Sequence, residues 1–475
     1  MGPSGAGGGR GYPAFAIVGC SHWPDTLRLP ETPMPAKTSP PAFESWGRYP
    51  KHRADIVPLY WTSDFPLPAP SSSAMLPVGM GRSYGDSCLL DGGTLLDARG
   101  LDRFIAFDAA TGLLRCEAGV TLAEILDFAV PRGWFLPVTP GTKFVTVGGA
   151  IANDIHGKNH HVAGTFGCHV PRFELVRSNG QKYECTATQN QSLYEATIGG
   201  LGLTGLITWA EVQLRPIVSR KIKYEGIKFV GIDEFVALSR AAQHLEYTVA
   251  WIDCVSTGKN FARGIFMQGD HSEQPEDLKP SGKPKLTLPV DLPAFLMNKA
   301  SIGAFNALYY AKQYSKRKNA LVDFEPFFYP LDSVHHWNRA YGKQGLLQFQ
   351  CVLPWEPDFQ QGIIQVLKAI TASGLASFLA VIKVFGDVRS PGMMSFPAPG
   401  ITLALDFPVR GERSFDLTEK LGNITAEYGG KMYPAKDARM APRHFQQFYP
   451  QWQEFARYID PAFSSAFWQR VTALG

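Results

Sequence analysis

Three glycine-rich runs carry the densest chemical signal in this chain. Gly79-Met80-Gly81-Arg82-Ser83-Tyr84-Gly85-Asp86 follows the apolar lead Leu76-Pro77-Val78. Glycines on either side of Met80 remove Cβ atoms, so backbone N–H groups can close on a diphosphate. The run is not a dinucleotide Rossmann fingerprint, which needs Gly where Tyr84 stands and must open a helix; Ser83 to Asp86 reads as a turn. Taken alone, such a loop reads more readily as a structural turn than as a ligand site. The second run comprises Pro140-Gly141-Thr142, Thr146-Val147-Gly148-Gly149-Ala150 and Asp154-Ile155-His156-Gly157-Lys158-Asn159-His160-His161. The third is Gly199-Gly200-Leu201-Gly202-Leu203-Thr204-Gly205. A mononucleotide needs one cradle; three separated ones imply an extended ligand threaded between backbone segments.

The polar residues beside these runs define possible chemistry. A histidine such as His156 suits proton transfer because its ordinary pKa is near neutrality. His156, His160 and His161 have a spacing that evokes a metal, but no His-Glu-x-x-His pattern or Cys/Asp set accompanies them, so no metal is read. His160 and His161 read as structural hydrogen-bonding residues, and His335 and His336, on a helix-like stretch, as packing or surface residues. On the strand-like stretch LLQFQCVLP, alternation puts Gln348 and Gln350 on one face and Phe349 on the other, as a polar pocket wall or a satisfied core network.

The elements that position these groups are partly legible. FIAFDAATGLLRCEAG predicts two strands and a turn, and Thr121-Leu-Ala-Glu124 predicts a capped helix ending near Pro131 and Gly133. DFQQGIIQVLKAITASG predicts an amphipathic helix stopped by Gly374. Residues 268–286 read as a polar mobile insert, and the segment from Lys431 onward as an aromatic, mostly helical tail. Residues 1–44, rich in Gly and Pro, read as a disordered tail in which Met34 is the true start; Ile17-Val18-Gly19-Cys20 lacks the long apolar stretch of a lipoprotein leader.

The whole chain has 475 residues, 45% apolar and 19% charged, with a net charge of +4. That is globular composition with no electrostatic footprint for nucleic acid. No apolar run is long enough to span a bilayer. Seven scattered cysteines without a Cys-x-x-Cys pair point to a reducing compartment. A cytoplasmic placement, peripheral at the inner membrane face, is the expectation, with the periplasm left open.

Together, RSYGD, VTVGGAIANDIHGKNHH, GGLGLTG, WNRAYG, LLQFQCVLP, VIKVFG, SFPAPG and YPAKDAR resemble the flavin-dependent oxidases of the vanillyl-alcohol-oxidase superfamily. The similarity runs from Trp46 to the C-terminus. It is greatest to the branch that oxidises a polyprenylphosphoryl ribose as the flavoenzyme half of a two-protein epimerase. The resemblance implies an α+β fold: a two-part PCMH-type FAD-binding domain (45–217 and 431–475) with an inserted substrate domain (218–430) built on an antiparallel sheet flanked by helices. It implies FAD held by Gly79, Met80, Gly81, Arg82, Ser83, Tyr84, Gly85, Asp86, Gly141, Thr146, Val147, Gly148, Gly149, Asn153, Asp154, Ile155, His156, Ile207 and Tyr433. Related oxidases carry a flavin-linking histidine where Arg82 stands, so the FAD should be non-covalent. Lys436 takes the electrostatic role beside the flavin and His156 a base or orienting role, with Tyr84 or water as the other proton acceptor. Lys158, Trp251, Gln348, Gln350, Lys383, Thr402 and Ala404 fall to the substrate pocket.

The pocket departs from better-known members, which have Trp-Asn-Ile-Cys where Ile401-Thr402-Leu403-Ala404 stands. Ala404 removes a thiol beside the flavin and puts substrate identity in doubt, not the flavin chemistry. The resemblance also implies a polyprenyl-phosphate-linked sugar as substrate, oxidised at its 2-hydroxyl, and a separate NAD(P)H-dependent short-chain reductase as partner. LPAFLMNKASIGAFNALYYA is apolar enough to touch a membrane peripherally. Two alternatives stay open: a soluble FAD-linked sugar or aldonolactone oxidase, whose C-terminal His-Trp-x-Lys motif is absent, and a flavin-binding protein without turnover.

Overall fold

The computed structural model describes residues 43–65, 73–276, 278–279, 286–293 and 297–473. The expected tail, with Met34 and the Ile17–Cys20 box, lies outside the described residues except for Phe43 and Glu44.

Three sheets organise these residues. Strands β1 (Asp55–Pro58), β2 (Met75–Val78) and β3 (Thr94–Asp97) form a small parallel sheet in the order β1-β3-β2. A five-stranded antiparallel sheet follows, from β4 (Phe104–Asp108), β5 (Leu113–Glu117), β6 (Arg172–Val176), β7 (Lys182–Thr186) and β8 (Leu206–Gln213), in the order β4-β5-β8-β6-β7. The third holds eight antiparallel strands: β9 (Lys221–Val230), β10 (Tyr247–Ile252), β11 (Arg263–His271), β12 (Arg317–Asp323), β13 (Leu346–Leu353), β14 (Ala380–Phe385), β15 (Gly400–Pro408) and β16 (Lys431–Met432). Their order is β12-β9-β11-β10-β14-β15-β13-β16. Helices and antiparallel sheets so mixed make the fold α+β.

Local chemistry explains the elements. The FIAFD and LLRCE runs pair as the expected hairpin. Helix α1 (Leu122–Ala129) begins with a complete capping box between Thr121 and Glu124, and Gly133 ends the following turn in the left-handed region. In the large sheet, the face of β13, β14 and β15 bearing Phe349, Cys351, Ile382, Leu403 and Leu405 packs against α2 (Phe359–Ser373) and α3 (Glu412–Glu427) through Ile363, Val366, Ile370, Leu417 and Leu421. Each such fully buried aliphatic contributes roughly 1.5–3 kcal/mol of transfer free energy. Asp358 caps α2, and Gly374 stops it in the left-handed conformation.

Three local expectations change. Residues 268–271 are the end of β11, where Gln268 donates to Glu225 across the sheet, and Glu276 accepts from Ser219 and from the Arg220 backbone. Cross-strand pairing thus anchors the start of the expected mobile insert. The stretch before Trp337 is not helical: Val334–His335 is a two-residue strand, His336 adopts φ 57°, and the turn begins at Trp337. Lys431 and Met432, the start of the expected tail, form the last strand of the large sheet against Cys351 and Val352.

Candidate active site

Register alone assembles one wall of the site. Antiparallel pairing sets Gln348 opposite Asp406, Gln350 opposite Ala404, Val381 opposite Ala404 and Lys383 opposite Thr402. Opposed residues share a face, so the face turned away from α2 and α3 collects Gln348, Gln350, Lys383, Thr402, Ala404 and Asp406. This face floors a cavity of about 330 Å³ whose other walls come from the loop after β2, the Pro140–Ile155 segment, the Leu201–Ile207 turn, residues 331–337 and Tyr433 to Lys436.

The loop after β2 forms one end. Among the described residues, none accepts a hydrogen bond from the N–H of Gly79, Met80, Gly81, Arg82 or Ser83. A Cβ on Gly79 would overlap Thr146 Oγ1, so only glycine permits this approach. At Gly141, also in the wall, a Cβ would meet nothing within 4 Å: the space beside it belongs to the cavity. Five consecutive free donors beside a glycine-bared wall suit the pyrophosphate of an extended cofactor such as FAD. The Arg82 guanidinium is tucked away, 4.0 Å from the Trp46 ring centroid, with Nε donating to the Phe144 carbonyl at 3.0 Å.

Cations and their partners crowd the other end. Lys436 Nζ sits 4.1 Å from the Tyr84 ring centroid and has no hydrogen-bond or ion-pair partner among the described residues. Burial pushes Lys436 down and Asp406 up, and each opposes the shift of the other. Asp406 accepts from Gln348 Nε2, and its own N–H donates to Ser377 Oγ at 3.0 Å. Lys383 Nζ donates to the Gly157 carbonyl at 2.8 Å; burial, then Lys158 and Lys436, bring its pKa down to about 7.

Gln350 Nε2 lies 3.0 Å from His156 Nε2 and 3.1 Å from Thr402 Oγ1. With the amide so oriented, His156 Nε2 accepts and the ring proton sits on Nδ1, a buried atom with no partner. The His156 ring is enclosed by Phe385, Phe396 and Tyr433. Burial, with Lys383, His160 and Lys436 adding, holds its pKa well below the usual histidine range. His156 is thus neutral, and protonating it means burying a second charge among lysines. Burial likewise drives Tyr84 well above its usual pKa, keeping it a neutral phenol.

Of the residues expected around the ligands, the cavity gathers Gly79, Met80, Gly81, Arg82, Ser83, Tyr84, Gly141, Thr146, Gly148, Gly149, Asn153, Ile155, His156, Ile207, Tyr433, Lys436, Gln348, Gln350, Lys383, Thr402 and Ala404. Six others lie off its walls. A Cβ on Gly85 would overlap the Asp437 carbonyl, and Asp86 is held by Arg470 Nε and Nη2 at 2.9 and 2.8 Å. Val147 is packed in the core with its N–H on Val120 O. Asp154 is fully buried behind the wall, accepting from Gly167 N, Ser390 Oγ and Ser395 Oγ. Lys158 Nζ turns to the Phe328 carbonyl at 3.2 Å, and Trp251 Nε1 donates to the Phe378 carbonyl at 3.1 Å.

Sequence reading missed several neighbours. His335, His336, Asp332 and Trp337 line the cavity, although the two histidines were expected to be packing or surface residues. Asp406 was also missed, yet it continues the same alternation as Thr402 and Ala404. Among the described residues, no group of three His, Cys, Asp or Glu side chains is arranged to hold a metal ion.

Comparison with known proteins gives consistent results. Residues 71–186 match the FAD binding domain family. The chain is 37% identical over 399 residues to the decaprenylphosphoryl-β-D-ribose oxidase of Mycolicibacterium smegmatis, covering 81% of this chain and 85% of that one. It is 30% identical over 363 residues to an uncharacterized Streptomyces coelicolor protein from the mprA 5' region, covering 72% and 96%. A shorter match, 29% over 122 residues, reaches the human Delta(24)-sterol reductase, covering 26% and 24%.

Proposed function

The chain belongs to the decaprenylphosphoryl-β-D-ribose oxidase family of FAD-dependent oxidoreductases, and from that premise we propose that it oxidises the 2-hydroxyl of a polyprenyl-phosphoryl pentose to a ketone. One observation carries the reading: a single cavity joins five free backbone donors at one end to Lys383, Lys436, His156, Gln350 and Thr402 at the other.

When bound, FAD supplies the acceptor for the hydride lost from carbon. The residues after β2 hold its diphosphate by N–H groups, and Arg82, which offers no imidazole nitrogen for a flavin link, leaves it non-covalent. Lys436 balances negative charge that develops in the cavity, and Asp406 keeps that ammonium charged. Lys383 lies on the cavity wall with its pKa brought down to about 7, and it takes the hydroxyl proton. Neutral His156, fixed by Gln350, orients the sugar, and Thr402 adds a hydroxyl where Ala404 leaves room.

The ketone then needs a separate NAD(P)H-dependent short-chain reductase to complete a 2-epimerisation of a cell-wall arabinan-type precursor. Among the described residues, no helix is long and apolar enough to cross a membrane. A peripheral position at the inner membrane face fits a lipid-tailed substrate. Anaerobic addition of polyprenylphosphoryl ribose to the purified yellow protein tests the proposal by bleaching of the flavin. Bleaching only by free sugars or lactones would favour the aldonolactone-oxidase reading, and none by either the binding protein.

A further inference from the structure

The segment before and along β12 has an unusual surface. From Lys299 to Val322 the sequence contains Lys299, Lys312, Lys316, Arg317 and Lys318, and no Asp or Glu. Its helix, Lys299–Ala311, turns Ile302 and Asn306 inward, where Asn306 Nδ2 donates to Asp253 at 2.9 Å and Tyr309 packs on Trp251 at 4.8 Å between centroids. The adjoining solvent-facing side carries Phe305 and Leu308, 47% and 73% exposed, one helical step apart, with Lys312 on the next turn. Just beyond, Tyr314 is 97% exposed. Lys316 and Arg317 are paired with Glu234 and Glu225, whereas Lys312 and Lys318 face no carboxylate within ion-pair distance among the described residues.

This face also borders the active site. Phe305 meets Phe378 at 5.8 Å, and Phe378 meets Trp337, a cavity wall residue, at 6.4 Å. One aromatic ring therefore separates the exposed helix face from the cavity lining.

We propose that the outer face of the Lys299–Ala311 helix, with Tyr314, Lys312 and Lys318, docks the protein on the surface of an anionic lipid bilayer. Exposed Phe and Leu beside lysines match an interfacial helix, and a tyrosine at its end suits the headgroup level. Lysines without a carboxylate partner add electrostatic attraction to an anionic surface. A second copy of the chain fits less well: a two-fold contact sets this cationic stretch against itself, over far fewer residues than the ~20–30 a side of a stable interface. The surface is separate from the redox chemistry; docking there brings the cavity to the membrane plane.

The test uses the full-length holoenzyme and vesicles without substrate, so its outcome does not depend on the oxidation reading. The protein should sediment with phosphatidylcholine vesicles containing about 30% phosphatidylglycerol, not with pure phosphatidylcholine, and release at about 0.5 M salt. Leu308→Glu and the pair Lys312→Glu/Lys318→Glu should each weaken partitioning by ~10-fold or more. Flavin content and thermal midpoint should stay unchanged in both, because these side chains are exposed. Absence of binding to the anionic vesicles, or equal binding by the variants, overturns the proposal. So does a concentration-dependent dimer that Leu308→Glu abolishes.

Discussion

Gln350 and His156 meet through their Nε2 atoms at 3.0 Å in a buried aromatic enclosure. The contact joins a strand of the large sheet to the glycine-rich segment and assigns the imidazole an accepting Nε2. Burial in that enclosure, with Lys383, His160 and Lys436 adding, makes His156 a poor proton store.

Replacing His156 by Gln should therefore slow flavin reduction by about 10-fold through lost orientation, while the pH–rate profile keeps its shape. Stopped-flow reduction across pH checks this; disappearance of the alkaline plateau's onset in His156→Gln would return the base role to His156.

Lys383 should set that profile. Its pKa of about 7 lies below 10.5 because burial, Lys158 and Lys436 disfavour the ammonium. An acceptor must be deprotonated, so reduction should rise with pH through about 7 and then level off. Lys383→Met should abolish the rise. The same shift bears on stability: between about 7 and 10.5 the unfolded chain binds more protons at this lysine than the folded one. Its burial penalty is thus full below about 7 and fades as pH approaches 10.5. Lys383→Met should accordingly raise the thermal midpoint at pH 6 (roughly one unit below that folded pKa) more than at pH 10.

Lys436→Met should retain FAD and slow reduction by ~10²-fold, the scale of losing one electrostatic stabiliser. It also removes a positive neighbour of Lys383, so the rise in rate should move to higher pH. Asp406→Asn leaves the cavity wall in place but removes the counter-charge of Lys436, and should give a smaller loss, with Lys436 more readily deprotonated. Steady absorbance spectra and pre-steady-state traces separate flavin loss from slowed chemistry.

Arg470 bridges Asp86 and Asp437, at 2.8 and 2.9 Å, and both carboxylates are almost wholly buried. Arg470→Met strands two buried charges and should cost about 3–5 kcal/mol, read as a fall in urea midpoint. Because the bridge ties the loop after β2 to the segment carrying Lys436, FAD should be lost before global unfolding. Unchanged flavin retention in urea would limit the bridge to stability.

Gly79→Ala should yield protein without FAD. The added Cβ overlaps Thr146 Oγ1, which accepts from Gly149 N at 3.2 Å and caps the helix Val147–Ala152. The ratio of flavin to protein absorbance after purification checks this directly.

Local patterns were readable where the physics is local. Capping at Thr121 and Glu124, the stop at Gly374 and the alternation of Gln348 and Gln350 depend on neighbours within a few residues. Motif order likewise pointed to the family and its cofactor. Residues whose roles depend on distant partners were not so readable. Asp86 and Asp154 look like ligand-facing acids in their motifs, yet Arg470 claims the first and two serines claim the second.

Sequence alone thus placed the glycine runs, the capped helices and the strand alternation, because backbone freedom, hydrogen-bond capacity and strand periodicity are written residue by residue, while the α+β class and the oxidase family were implied by the resemblance of its ordered motifs. Only the tertiary structure decided the protonation states and the pairings. Strand register set Asp406 beside Gln348, and the fold gathered Lys383, Lys436 and His156 around one cavity. Charge state there follows from the distance between groups far apart in the chain, which no local spacing records.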